Sequence, residues 1–143
     1  MTYIDELGTA VTDTLNAGDF SQDFEAVENF QPQIRKSDLG DGWHVWIVTV
    51  DLKSARVARN RTRADALFDI GLIRKLSSVE PAAVKPCLRL CDEVQHYVGK
   101  SMKLLPGHDL ATNEFDPLWS ESHLKQQAVF LSVLSLGYRR HPA

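Results

Sequence analysis

The sequence lacks any long apolar run. No stretch approaches the roughly 18 consecutive apolar residues of a membrane-spanning helix. The first six residues, Met1 to Glu6, lack the basic and then apolar character of a secretory signal. We therefore expect a protein that stays in the cytosol unless another component carries it out. With 143 residues, 43% hydrophobic and 24% charged, the chain suits one globular domain spanning residues 1–143.

Cysteine is also scarce, since only Cys87 and Cys91 are present. Their spacing of four places both thiols on one face of a helix, where we expect them to be reduced and buried. His96 is the third member of the best metal candidate, but a helix turns it about 140° away from Cys91. No second cysteine pair completes a tetrahedral site. The sequence therefore predicts core cysteines, with no metal and no cofactor.

Familiar catalytic motifs are missing as well. The sequence has no phosphate-binding loop, no dinucleotide-binding glycine motif, no zinc-protease helix motif and no nucleophile elbow. The remaining histidines are dispersed, without an evident nucleophile beside them: His44, His108, His123 and His141. Asp65 and Asp69 share one face of a predicted strand, where solvent or the cations of a neighbouring chain are better surroundings than a catalytic site. We expect a protein without enzymatic activity.

Charge is unevenly distributed along the chain. Residues 1–30 contain seven acids, among them Asp5, Glu6 and Asp13, and no Lys or Arg. Residues 53–63 instead contain five cations: Lys53, Arg56, Arg59, Arg61 and Arg63. This basic segment has three interpretations: a solvated hairpin tip, a surface that pairs with acidic protein such as residues 1–30 of another copy, or a phosphate-binding segment. The net charge of -3 and the lack of interleaved aromatic residues argue against nucleic acid.

Apolar periodicity predicts most of the secondary structure. Ile4, Leu7, Val11 and Leu15 recur at helical spacing, so a first helix starts near Tyr3 and stops at Gly18. Residues 20–30 alternate loosely and are interpreted as a strand. Trp43 to Leu52 is the strongest strand, with both faces apolar, so it is central in its sheet or half in an interface.

The second half of the chain completes an α+β pattern. The basic segment 53–63 is interpreted as a loop that joins the strand at 43–52 to another at 64–75, which makes a long antiparallel hairpin. Residues 82–102 are predicted as a second main helix. Residues 111–119 are irregular or a short edge strand, and residues 126–139 form a final central strand.

The order of these elements resembles a family of phage and prophage proteins, the tail-terminator or tail-completion subunits. The N-terminal residues that carry the resemblance are Leu15-Asn-Ala-Gly-Asp-Phe-Ser21, Phe24-Glu-Ala26 and Pro32. It continues through the strand at 43–52, Arg59 and Arg61, the strand at 65–75, the helix at 84–98, and Phe130-Leu-Ser-Val-Leu-Ser-Leu-Gly-Tyr138. The resemblance spans most of the chain.

The resemblance implies an antiparallel sheet flanked by helices, and a ring of six subunits that caps the tail tube. Such a ring ends tube polymerisation and joins the tail to the head-side connector, within a virion assembled in the host cytoplasm. The implied partners are copies of the chain, the tube protein, the connector and, transiently, phage DNA in the lumen, with no membrane. The alternatives are another neck or head-completion component, or a non-viral adaptor that binds a peptide along a sheet edge.

The charge pattern suggests which surfaces meet in a ring. A closed ring is built from contacts in which one patch meets a different patch on the next copy. An acidic N-terminal segment and a basic hairpin are complementary in this sense. The candidate interface residues are therefore Asp5, Glu6, Asp13, Lys53, Arg56, Arg59, Arg61 and Arg63.

Overall fold

A computed structural model describes residues 3–30, 39–59, 61–101 and 108–140. The helices are α1 (Tyr3–Asn16), α2 (Pro81–Lys100) and α3 (Glu121–Gln127), and the strands are β1 (Ala26–Glu28), β2 (Trp43–Ala58), β3 (Arg61–Lys75), β4 (His108–Phe115) and β5 (Val129–Arg140). The five strands form one sheet in the order β1-β2-β3-β5-β4. The predicted α+β class is confirmed, as are the two main helices and the long β2–β3 hairpin.

One pairing in the sheet is parallel. β1 lies alongside Val45 to Ile47 of β2 and runs in the same direction, whereas the other three pairings are antiparallel. The strand predicted over residues 20–30 is wrong in extent, because only Ala26–Glu28 joins the sheet. Phe20 and Phe24 instead stack on each other at 5.1 Å, and Phe20 meets the ring of Tyr97 edge-on at 5.2 Å. Both side chains pack against the main core from the segment between α1 and β1.

The main core lies between one face of the sheet and helices α1 and α2. Alternate residues of the central strands point into it: Ala66, Phe68, Ile70 and Leu72 from β3, and Phe130, Leu134, Leu136 and Tyr138 from β5. Helix α1 contributes the predicted stripe of Leu7, Val11 and Leu15, and α2 contributes Leu90, Cys91 and Val94. Both helices are therefore held by burial of an apolar stripe, the usual source of helix stability in a small domain.

On the opposite face of the sheet, the described residues form apolar packing at one end. There Leu39, Trp46, Ile73, Val129 and Leu131 form a second, smaller apolar cluster. The remainder of this surface, which we call the open face, carries polar and charged side chains from four strands. A sheet with one covered face alternates apolar and polar residues along each strand, and β3 follows that pattern.

Helix α3 was not predicted from the sequence. Residues 126 and 127, expected to open the final strand, end this helix instead, and β5 begins at Val129. The hydroxyl of Ser120 caps α3 by accepting from the backbone N–H of His123. With Leu124 as its one buried residue, a seven-residue helix leaves no apolar periodicity to detect. The short edge strand expected within residues 111–119 is present, but it begins at His108.

The connection between α3 and β5 tests this local structure. Ala128 adopts a left-handed conformation with a φ of 52°, which costs an L-residue roughly 1–2 kcal/mol relative to glycine. We expect Ala128→Gly to raise the free energy of unfolding by about 0.5–1 kcal/mol in urea denaturation. The matched control, Ala83→Gly inside α2, should lower it by a similar amount, because glycine there only loosens a helix. A lower free energy of unfolding in Ala128→Gly would contradict an energetic cost of the left-handed conformation at Ala128.

Candidate interaction surface

The basic segment is part of the sheet and not a loop. The β2–β3 ladder continues from Lys53 opposite Asp65 to Ala58 opposite Arg61, so the predicted basic loop is wrong. Lys53 and Arg56 belong to β2, Arg61 and Arg63 belong to β3, and Arg59 lies in the turn. Hydrogen bonds between the backbones of two strands do not depend on the side chains. Exposed positions of paired strands therefore accept long cationic side chains. We call residues 50–63 the hairpin arm.

The hairpin arm extends past the rest of the sheet. The last described contact of β3 with β5 is Ala64 opposite Arg140, so the three residues of β3 before Ala64 pair with β2 alone in the described part of the chain. Three residues of strand correspond to about 10 Å. Lys53, Arg56 and Arg59 are exposed there. In the described part of the chain the tip of the arm, where Arg56 pairs with Thr62 and Ala58 with Arg61, is thus a two-stranded projection, whereas Leu52 and Lys53 lie level with β5 and β4.

Apolar side chains are exposed on the same arm. The side chain of Val50 is 52% exposed and that of Leu52 is 45% exposed. Neither residue belongs to the second, smaller apolar cluster. Val50 occupies a β-bulge, where the register between β2 and β3 shifts. Exposed apolar residues beside cations are typical of surfaces that bury themselves against another protein.

Within the described ranges, no strand pairs with the outer edge of β2 along the arm. β1 covers Val45 to Ile47, and beyond Ile47 no strand in the described ranges lies beside this edge. The backbone N–H of Leu52 donates to the carboxylate of its neighbour Asp51, at 2.8 Å, instead of to a strand. A bulge, a lysine and a local carboxylate are devices by which natural edges limit unspecific pairing. The edge is thus accessible but selective.

A row of alternating charges crosses the open face. Lys53 on β2 lies opposite Asp65 on β3, Asp65 opposite Arg139 on β5, and Arg139 opposite Asp109 on β4. The guanidinium of Arg139 donates to both carboxylate oxygens of Asp65, at 3.0 and 3.3 Å, which raises the pKa of Arg139. Asp65 therefore forms an ion pair with Arg139 of its own chain. We call these four residues the charge row.

Two further polar groups lie on the open face near the charge row. Asp69 accepts a hydrogen bond from the hydroxyl of Ser135 at 3.1 Å, so the two predicted face-sharing carboxylates, Asp65 and Asp69, have separate partners. Arg63 is half-buried, and its Nε is buried with no hydrogen-bond partner among the described residues.

The first turn of α1, which contains Asp5 and Glu6, lies at the same end of the domain as the hairpin arm. The side chain of Asn16 bonds both backbone groups of Ala26, which pairs with Val45 near the start of β2. Nearer the N-terminus of α1, Gly8 lies beside the side chain of Glu28, which pairs with Ile47 further along β2. The helix therefore runs antiparallel to β2, and its first turn points towards the arm. Asp5 and Glu6 are exposed in that turn, where acids also favour the helix dipole.

Asp13 lies elsewhere on α1. Eight residues of helix separate it from Asp5, which corresponds to about 12 Å along the axis. It is exposed close to the end of α1 that Asn16 ties to β1. The structure therefore groups Asp5 and Glu6 with the end of the domain that carries the basic residues, but not Asp13.

The two cysteines belong to the core. Cys87 and Cys91 are free thiols buried on the inner face of α2, and burial raises the pKa of both to about 11. The described parts of the chain contain no group of three His, Cys, Asp or Glu side chains placed to hold a metal ion. Nor does any helix in those parts have the length and apolar character needed to cross a bilayer.

A cleft lies between the N-terminal end of α2 and the turn that precedes β2. Arg74 and Lys75 line it, together with Asp41 and Pro86. Arg74 donates to Gln22 at 2.6 Å and lies over the ring of Trp43 at 5.8 Å, so its charge holds the loop after α1 in place. Lys75 pairs with Asp41 at 3.2 Å. These cations are engaged within the chain, which leaves the hairpin arm and the adjacent sheet edge as the candidate interaction surface.

Comparison with known proteins does not identify a relative. No model of a protein family matches the chain, and neither does any curated protein.

The thiols provide a test of the core. Because their pKa is raised from 9.0 to about 11, the thiolate fraction at pH 8 falls about 100-fold. We expect both thiols to react with a disulfide reagent at least about 100-fold more slowly in the folded chain than in the urea-unfolded control. Fast reaction of either thiol in the folded state would contradict its burial.

The same groups predict a pH dependence of stability. Between pH 9 and 11 the unfolded thiols lose protons while the folded ones stay protonated, so stability should fall as the pH rises above 9. Urea denaturation at pH 8 and pH 10 measures this, with Cys87→Ala/Cys91→Ala as the control that removes the thiol contribution. If the control loses as much stability between pH 8 and pH 10 as the parent chain does, the thiols are not the cause of the pH dependence.

Proposed function

We propose that this chain is a structural subunit that assembles into a ring with copies of itself, as the phage tail terminators that it resembles do. The observation that carries the proposal is the hairpin arm, whose basic tip projects as two strands and whose base exposes Val50 and Leu52 along the outer side of β2. Ordering the backbone of the projecting tip costs conformational entropy. Burial against a neighbouring subunit supplies a reason for it.

In the proposed role the ring, hexameric by the resemblance, caps the tail tube, ends its polymerisation and presents a surface to the head-side connector. The protein would act by shape and contact, without catalysis, metal or cofactor. Phage DNA would pass through the lumen and touch the ring only transiently. The acidic residues of 1–30 and the basic residues of 53–63 support this assembly role, because contacts between unlike patches lead from one copy to the next.

A second candidate function is an adaptor that binds an extended peptide along the open edge of β2. The observation that favours it is the Leu52 N–H, which donates only to the neighbouring carboxylate and is available to an incoming strand. Another neck or head-completion component is the nearest alternative within the virion. An adaptor is monomeric or dimeric, so the mass of the purified protein separates these functions.

Native mass spectrometry and negative-stain imaging of the purified chain test the proposal. We expect a closed ring, hexameric by the resemblance, at micromolar concentration and low salt. A monomer or dimer under the same conditions would instead support the adaptor function. The same measurement at high salt should show fewer rings, because exposed charges are screened.

The candidate charged residues give a sharper test. Arg59→Glu/Arg61→Glu reverses two charges of the hairpin arm, and we expect it to weaken the oligomer at low salt by roughly tenfold or more. The matched control is Lys85→Glu/Lys100→Glu, which makes the same change in net charge at two exposed positions of α2. Equal oligomer stability in the parent and the Arg59→Glu/Arg61→Glu variant would count against a role for the arm.

A further inference from the structure

We infer that neighbouring copies join edge to edge, with the open edge of β2 in one copy pairing antiparallel to β4 of the next. This inference rests on the proposed function and specifies which surfaces form its contact. β2 and β4 lie near opposite sides of the sheet, and β4 is its last strand. The contact is therefore between two different edges, which adds copies in one direction until a ring closes.

The strand directions fit this contact. β3 runs antiparallel to β2, β5 antiparallel to β3, and β4 antiparallel to β5. β4 is thus antiparallel to β2 within one chain. A second copy placed beside the first in the same orientation brings β4 against β2 as an antiparallel pair, which makes a continuous sheet.

The accessible lengths of the two edges lie at the same level of the sheet. Among the described residues, β1 is the strand beside this edge of β2, and it pairs with Val45 to Ile47. Leu52 is level with Leu110, because Leu52 faces Ala66, Ala66 faces Tyr138, and Tyr138 faces Leu110. The uncovered part of β2 therefore lies at the height of the first residues of β4, and no vertical shift between copies is needed.

The backbone groups at this level point outward on both edges. The Leu52 N–H leaves the ladder to reach Asp51. On β4, the carbonyl of Asn113 accepts from the side chain of Gln95 in α2 at 3.0 Å, so it points away from β5, and at that position α2 and not a neighbouring copy occupies the edge. Asn113 and Leu110 face Leu136 and Tyr138, two residues apart on β5, so Leu110 presents its backbone in the same outward direction.

Side chains are complementary in the resulting register. When Leu52 lies opposite Leu110 of the next copy, Lys53 lies opposite its Asp109, since antiparallel pairing keeps the sum of the two numbers constant. The charge row begins with a cation at the β2 edge and ends with an anion at the β4 edge. Placing copies side by side continues the alternation of charge without interruption, and each cross-strand pair of unlike charge favours the contact.

The same register places Leu52 beside an apolar side chain. Leu52 is 45% exposed and Leu110 is half-buried, and both lie on the face of the sheet that carries α1 and α2. Pairing them removes one of the exposed apolar residues of the hairpin arm from water. The contact thus combines backbone pairing with an apolar pair and a charge pair at two consecutive positions.

Cysteine cross-linking tests the register directly. In the double variant Leu52→Cys/Leu110→Cys, the paired Cα atoms of neighbouring copies would lie about 5.5 Å apart, within the range of a disulfide. Within one copy the two positions are three strand spacings apart, about 14 Å, so they cannot bridge internally. Mild oxidation at low salt should produce a ladder of covalent multimers on a denaturing, non-reducing gel.

The control variant is Ser54→Cys/Leu110→Cys, which offsets one position by two residues and places the Cα atoms about 8 to 9 Å apart. We expect at least about tenfold less multimer from it. If the parent chain forms rings but the matched pair yields no more multimer than the control, the edge contact is wrong and the ring function stands. If the parent chain is monomeric, the proposed function fails and the edge contact fails with it.

A second measurement covers the case in which cysteine disturbs the edge. Lys53→Glu and Asp109→Lys should each weaken self-assembly about tenfold, because like charges then face each other between copies. Mixed in equal amounts, the two variants restore unlike pairs at every contact, and rings should reappear. Melting temperatures of the separate variants confirm that each one folds. Failure of the folded mixture to assemble better than either variant would overturn the inference.

Discussion

The structure depends on the backbone ladder between β2 and β3, which runs from Trp43 opposite Arg74 to Ala58 opposite Arg61. In its first half this ladder is the centre of the sheet and supports Val45, Ile47, Phe68 and Ile70 in the core. In its second half the ladder passes Ala66, which is still in the core, and then continues beyond it to Ala58 opposite Arg61. Because pairing along an antiparallel ribbon does not require burial at every position, the ladder can extend the core into an arm.

The two faces of the sheet have different roles for the same reason. Alternation along each strand sends apolar residues towards α1 and α2 and leaves the charge row on the other side. The Arg139–Asp65 pair lies at the centre of that row and is satisfied within the chain. Lys53 and Asp109 lie at its two ends, on different edges. In the proposed ring these ends are where copies would meet, so the fold and the assembly would share one alternating pattern.

Periodic patterns predicted the elements whose apolar residues repeat over several turns or strand positions. The stripe of α1, the central half of β2, and the buried residues of α2 and β5 are all of this kind. Short elements were missed or extended wrongly: α3 has one buried residue, and β1 has three residues where eleven were expected. Their formation depends on the Ser120 cap and the Asn16 side chain, which are local hydrogen bonds that apolar patterns do not record.

The sequence by itself determined the fold class, the cysteine environment and the presence of a basic hairpin, because each follows from local composition or spacing. It did not determine that residues 53–63 continue the strands, since a run of cations fits a loop equally well until the partner strand is known. Only the tertiary structure decided the order of strands and, with it, the row that joins Lys53, Asp65, Arg139 and Asp109. Those residues are far apart in the chain, and cross-strand register alone brings them together.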